Sequence, residues 1–182
     1  GGSVIYEGKD ICKMSDKEFH PLRREVQMVF QNSLSALNPR RRVGDILDEI
    51  LSVHGVTDPG KRRERVLDTL QKVGLLEEHY FRFPHELSGG QVQRLGIASA
   101  LIIGPKLIVC DEPVSALDVS IQAQILNMLM ELKRELGLGL LFISHDMGVI
   151  RFISDRIGVM YLGSLVEEAD TETLFQKPLH PY

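Results

Sequence analysis

The sequence predicts an α/β fold with a helical block set into it, on three observations. Residues 107–110 and 140–143 are short, wholly apolar runs of the kind that become strands covered on both faces. An amphipathic helix separates them, and strand–helix–strand alternation implies right-handed crossovers in a parallel sheet. Residues 43–104, by contrast, carry apolar side chains at helical spacing and no strong strand signal.

Taken in order, Met28, Val29 and Phe30 read as a short strand, ended by the polar cluster Gln31, Asn32 and Ser33. Ile46, Leu47, Ile50 and Leu51 then recur at helical intervals. Asp58 followed by Pro59 is an N-cap with proline at the first helical position. Val66, Leu67, Leu70 and Val73 form the apolar face of that helix, and Gly74 supplies its stop. A third helix begins near Ser88 and Gly89 and is halted by Gly104 and Pro105. After the 107–110 strand, Asp118 caps a helix with Ile121, Ile125, Met128, Leu129, Leu132 and Leu136 on one side, stopped by Gly137. Residues 157–161 read as a further strand of the same core. The division expected is an α/β core of residues 1–37 and 105–182, with residues 38–104 forming the helical part.

A length of 182 residues allows one domain with a real core. A hydrophobic fraction of 43% and a charged fraction of 25% are ordinary for a globular protein. The net charge of −4 argues against a nucleic-acid binder, which needs a basic face. The short basic runs at 40–42 and 61–63 read as solvated surface. No apolar stretch reaches the roughly 18–20 residues that span a bilayer, and residues 1–10 lack the pattern of a secretory signal. Cys12 and Cys110 give neither a disulfide framework nor metal-ligand spacing, which points to a reducing compartment. Cys110 reads as a small core hydrophobe. The chain opens on Gly1-Gly2-Ser3 without methionine and stops at Tyr182, so it is expected to be a stretch of a longer protein.

The chemistry concentrates in five places. LSGGQ at 87–91 opens a helix: glycines there let backbone N–H groups approach an anion, the helix N-terminus adds partial positive charge, and the Ser88 hydroxyl can donate to a phosphate oxygen. LIVCDEP at 107–113 follows sixteen residues later. Its Asp111 ends a buried strand, where a carboxylate can hold Mg²⁺ or its waters beside phosphates. Glu112 is the candidate to activate or orient an attacking water. The turn SALD at 115–118 comes next. His145 follows the 140–143 strand and can bond a terminal phosphate oxygen. Gln31, also just past a strand, can ligate Mg²⁺ through its amide oxygen or orient water. No G-x-x-x-x-G-K-[ST] phosphate loop occurs in the 182 residues. The parts that complete an ATP site are present without the part that grips the nucleotide.

In this order, Gln31, LSGGQ, LIVCDE, SALD and His145 resemble the ATP-binding cassette (ABC) family over nearly the whole chain. The resemblance implies a P-loop NTPase, RecA-like core with an inserted helical subdomain, truncated at its N-terminus, binding ATP and Mg²⁺. By that resemblance Gln31 is the Q-loop glutamine, Ser88, Gly89, Gly90 and Gln91 belong to the signature, and Asp111 is the Walker B aspartate. Glu112 is then the catalytic glutamate, Asp118 the D-loop aspartate and His145 the switch histidine. Two cassettes of the family pair head to tail, so Ser88, Gly89 and Gly90 would serve the partner's nucleotide.

LSALNPRRRVGDIL, FPHELSGGQ, CDEPVSALDVSIQAQ, SDRIGVMYLG and KPLHPY are similar to the oligopeptide, dipeptide and nickel importer branch. That implies permease subunits as partners, touched by Gln31 and the 34–43 segment. It also implies an indirect link to a substrate-binding protein and a peripheral place on the cytoplasmic face of the membrane. Val92 and Ser99 depart from the family, which usually has basic residues there. Two other readings are a catalytically incompetent cassette lending its signature to another subunit, and a non-transport ABC protein. The 182 residues alone are expected to be inactive and poorly soluble, with apolar sheet edges uncovered.

Overall fold

The computed structural model describes residues 2–182, in two compact units that meet in sequence between Leu141 and Phe142. The first unit starts with an antiparallel pair, β1 (Ile5–Tyr6) and β2 (Lys9–Asp10). Asp10 caps the 3-10 turn Ile11–Lys13, and a short helix α1 (Asp16–Phe19) leads through the 3-10 turn His20–Arg24 into β3 (Val26–Val29). Lys106 Nζ bridges Glu7 and Glu25, each at 2.9 Å, and so ties the opening hairpin to the base of the sheet.

Helices then dominate. They are α2 (Ser33–Ala36), α3 (Val43–Val53), α4 (Pro59–Lys72) and α5 (Gly89–Leu101), with 3-10 turns Glu77–Phe81 and Pro84–Glu86 before α5. No strand interrupts residues 43–104, as the periodicity predicts. Asp58 caps α4 through its carboxylate, which accepts from Gly60 N–H (2.8 Å) and Lys61 N–H (3.2 Å). Val43 and Leu47 of α3, Val66 and Leu70 of α4, and Leu95 and Ile97 of α5 are buried against one another's helices. Burying each such side chain removes it from water at a gain of about 1.5–3 kcal/mol.

β4 (Leu107–Asp111) follows, then α6 (Val119–Leu136) and β5 (Gly139–Ile143). The sheet order is β3-β4-β5, with β3 and β4 parallel and in step from Val26 opposite Leu107 to Val29 opposite Cys110. Burial pushes the Cys110 thiol up to about 12, so it stays protonated and acts as the core hydrophobe expected of it. Gly137 ends α6 in the left-handed conformation, with a φ of 62°.

The second unit contains α7 (Met147–Ile153), β6 (Arg156–Tyr161), β7 (Ser164–Asp170) and α8 (Thr171–Gln176). Ile150, Ile157 and Leu174 form its small core, with Phe142, Val159 and Phe175 packed around them.

Two sequence expectations are corrected. Residues 140–143 do form a strand, but it is not covered on both faces: Leu141 is 54% and Ile143 46% exposed. β5 is an edge strand, and one of its faces has no cover among the described residues. Residues 157–161 do not extend the parallel sheet either. β6 pairs antiparallel with β7 in a separate two-stranded sheet. The two-residue turn between them, Leu162 and Gly163, has φ values of 48° and 79°, the handedness that suits the twist of a tight hairpin.

Candidate functional site

The parallel register of β3 and β4 creates the site. Two residues beyond the Val29–Cys110 pair, Gln31 comes level with Glu112 although 81 positions separate them. Gln31 Nε2 donates to Glu112 Oε2 at 2.9 Å and to Ser115 Oγ at 3.3 Å. The Ser115 hydroxyl in turn donates to the Glu112 carbonyl at 3.1 Å, folding the 112–115 turn back on itself. Glu112 has a φ of 46°, a left-handed conformation uncommon for a residue with a side chain. Gln122 Nε2 secures the same turn through the Val114 carbonyl at 2.9 Å.

Asp111 closes β4 just before this turn and is half-buried. Among the described residues, no three His, Cys, Asp or Glu side chains lie close enough to hold a metal ion by themselves. The donor set does fit Mg²⁺, which keeps several waters and takes one or two carboxylates plus substrate phosphates. Asp111 could supply the carboxylate. The amide oxygen of Gln31 could supply a second ligand, because its nitrogen makes the contacts to Glu112 and Ser115.

The signature segment is built as an N-terminal cap. Ser88 is the N-cap of α5: its Oγ accepts from Gln91 N–H (3.4 Å), while Gln91 Oε1 accepts from Ser88 N–H (2.9 Å). A Cβ on Gly90 would stand 2.6 Å from Ile121 Cγ2, whereas on Gly89 it would make an ordinary contact with Leu117 at 3.7 Å. The glycine pair therefore lies directly against the SALD turn and the start of α6. Asp118 caps that helix, accepting from Ile121 N–H at 3.0 Å, and this backbone bond holds its carboxyl below the usual carboxylate range.

His145 belongs to the second unit, where it is exposed between β5 and α7. Its turn is fixed by neighbours: Asp146 N–H donates to Ser144 Oγ (3.0 Å), and the Asp146 carboxylate accepts from Gly148 and Val149 N–H (2.8 and 3.1 Å). Thus Gln31 and Glu112 are brought into contact, with Asp111 next in the chain. Ser88, Gly89, Gly90, Gln91 and Asp118 form a second cluster in the same unit.

Sequence reasoning missed two participants, Ser115 and His79. Ser115 opens the SALD turn, and its residue type there carries no signal of its own. His79 is buried to 4% exposure under the signature, with no local pattern to mark it. A groove of 400 Å³ also opens beside the site, lined by Met28, Phe30, Leu37, Ile46, Ile50 and Ser99 among others. One of the two departures from the family pattern, Ser99, therefore faces this groove; the other, Val92, is buried.

A family model described as ABC transporter matches residues 1–115. The chain belongs to the ABC transporter family. This cassette is 52% identical over 182 residues to the oligopeptide transport ATP-binding protein OppF of Escherichia coli (strain K12), covering 100% of this chain and 54% of that protein. It therefore spans about half the length of the curated relatives it matches. Its fold superposes on CbiO1 from Clostridium perfringens, described as part of the ABC transporter complex CbiONQ. That match has a TM-score of 0.84 and 27% identity, over 97% of this chain and 69% of that one. It also matches the dimeric post-hydrolysis state of the ATP-binding cassette MJ0796 bound to ADP and Pi, at a TM-score of 0.79 and 29% identity. There the coverage is 94% of this chain and 74% of that one. The α/β fold is that of an ABC ATPase cassette, a family whose members bind ATP or ADP.

Proposed function

We propose that the intact parent protein is the ATP-hydrolysing subunit of an ABC importer, coupling hydrolysis to uptake of oligopeptides or dipeptides across the cytoplasmic membrane. The observation that carries this reading is the Gln31–Glu112 hydrogen bond, which puts a water-orienting amide and a carboxylate in one place. The Glu112 carboxylate takes the proton of the water that attacks the terminal phosphorus of ATP, and ADP leaves. Gln31 holds that carboxylate in position, with Ser115 supporting both. Asp111 would hold Mg²⁺, which would supply neutralisation of charge on the phosphates. Ser88, Gly89 and Gly90 close over ATP held by a second cassette, either identical or related, and Asp118 lines the same junction. His145 bonds the terminal phosphate.

The groove beside β3 suits a short apolar segment of a permease subunit, and its lining by Leu37 and Asn38 supports coupling through the 34–43 segment. No helix among the described residues is long and apolar enough to cross a membrane. That is consistent with a peripheral place at the cytoplasmic face, with a substrate-binding protein engaged only through the permease.

Glu112→Gln in the intact parent tests the assignment. Steady-state phosphate release should fall by about 10²–10⁴-fold, the range for losing a general base, with ATP binding retained. Normal turnover in that variant would remove Glu112 from the chemistry.

A further inference from the structure

His79 sits in the 3-10 turn ahead of the signature, and both of its ring nitrogens are engaged. Leu76 N–H donates to Nδ1 at 2.8 Å. A backbone amide can only donate, so the proton of the neutral ring resides on Nε2. That Nε2 stands 3.2 Å from the side-chain amide of Gln91. The other end of the same amide accepts from Ser88 N–H at 2.9 Å. Two N–H groups, one from the imidazole and one from Ser88, therefore converge on a single side-chain amide that has only one oxygen.

A half-turn of the Gln91 amide exchanges its two partners. With its oxygen toward Ser88 the capping box is closed, and the imidazole proton faces an NH₂ group. With its oxygen toward His79 the ring is satisfied, and the Ser88 N–H is released. Neither orientation satisfies both donors. Because His79 is buried, its Nε2 proton has little recourse to water, and leaving a buried donor unmet is costly. That cost opposes the closed orientation.

We propose that His79 is a positioning residue for the signature: its Nε2–H competes with Ser88 N–H for the Gln91 carbonyl and so sets whether the cap at Ser88 is closed or open. In the open arrangement the Ser88 main-chain N–H is available to a phosphate oxygen, and in the closed one it is held by the Gln91 amide oxygen. Within the box the Ser88 hydroxyl only accepts, from the Gln91 backbone N–H, so its contact is the same in both arrangements. The proposal rests on the reading that Ser88 meets a nucleotide phosphate.

The test uses the intact parent with its partner cassette and MgATP. His79→Asn keeps an acceptor at the Nδ1 position for Leu76 N–H but falls short of Gln91. It should keep the melting temperature and the KM for ATP while lowering kcat by about five- to tenfold, the worth of one positioned hydrogen bond. In a Gln91→Leu background the same substitution should cost nothing further. A purely structural His79 would cost the same in both backgrounds, and that result overturns the proposal. Ser88→Ala separates the two layers. If it is silent, the phosphate reading fails and this proposal with it. If Ser88→Ala lowers turnover while His79→Asn is silent, only this proposal fails. Should the Asn variant not fold, ¹⁵N NMR of the wild-type ring decides: a proton on Nε2 supports the proposal, and one on Nδ1 overturns it.

Discussion

Asp118 shows what one side chain does for the start of a helix. Its carboxylate caps α6, and hydrogen bonding from Ile121 N–H depresses its pKa. A depressed carboxyl contributes stability that is fully present above its unfolded pKa of about 3.9 and is lost as pH falls through the folded value. Asp118→Asn should therefore flatten the acid limb of the amide-exchange profile of residues 119–122, leaving pH 7 exchange nearly unchanged. An identical acid limb in both proteins would refute the linkage. The positions of Gln31, Asp111, Glu112 and Asp118, at strand ends and a helix start, were legible in the sequence because periodicity marks those elements. The contacts of His79 and Ser115 were not legible: they reach residues 12 positions downstream and 84 upstream, which no local pattern records.

At the scale of elements, α5 and α2 approach as closely as their side chains allow. A Cβ on Gly96 would lie 2.7 Å from Ser33 Cβ and closer still to its hydroxyl. Gly96→Ala should therefore destabilise the protein by about 1–3 kcal/mol in urea unfolding despite its better helix propensity. Ser33→Gly in the same chain should return part of that loss. If Gly96→Ala is stabilising, the two helices have more room than their geometry implies. The helices themselves were readable from caps and spacing, Asp58 and Asp118 at starts and Gly74 and Gly137 at ends. The hairpin of β6 and β7 was not. Its turn places Leu162 in a left-handed conformation, and leucine lacks the Asn or Gly signature by which such turns are recognised. β5 looked buried because Leu140 to Ile143 are all apolar. Composition reports what a strand could bury, whereas exposure depends on whether another element covers it.

For the whole molecule, the two units differ in the size of their cores. The first has fully buried residues from four helices and two strands, whereas the second rests on Ile150, Ile157 and Leu174. Native-state hydrogen exchange should find amides of β6 and β7 opening at lower free energy than those of β4 and α5. Equal protection would mean that the second unit unfolds only with the first. The 182 residues, lacking a phosphate loop motif, should also neither bind ATP tightly nor hydrolyse it. Calorimetric binding comparable with a complete cassette would count against that. The two residues that follow β3 join the groove to the carboxylate. Phe30 lines the groove, and Gln31, the very next residue, grips the Glu112 carboxylate. One planar peptide unit, with the soft dihedrals on either side of it, is all that separates the two residues. The path from the groove to the carboxylate is thus one amide plane long and passes through no helix.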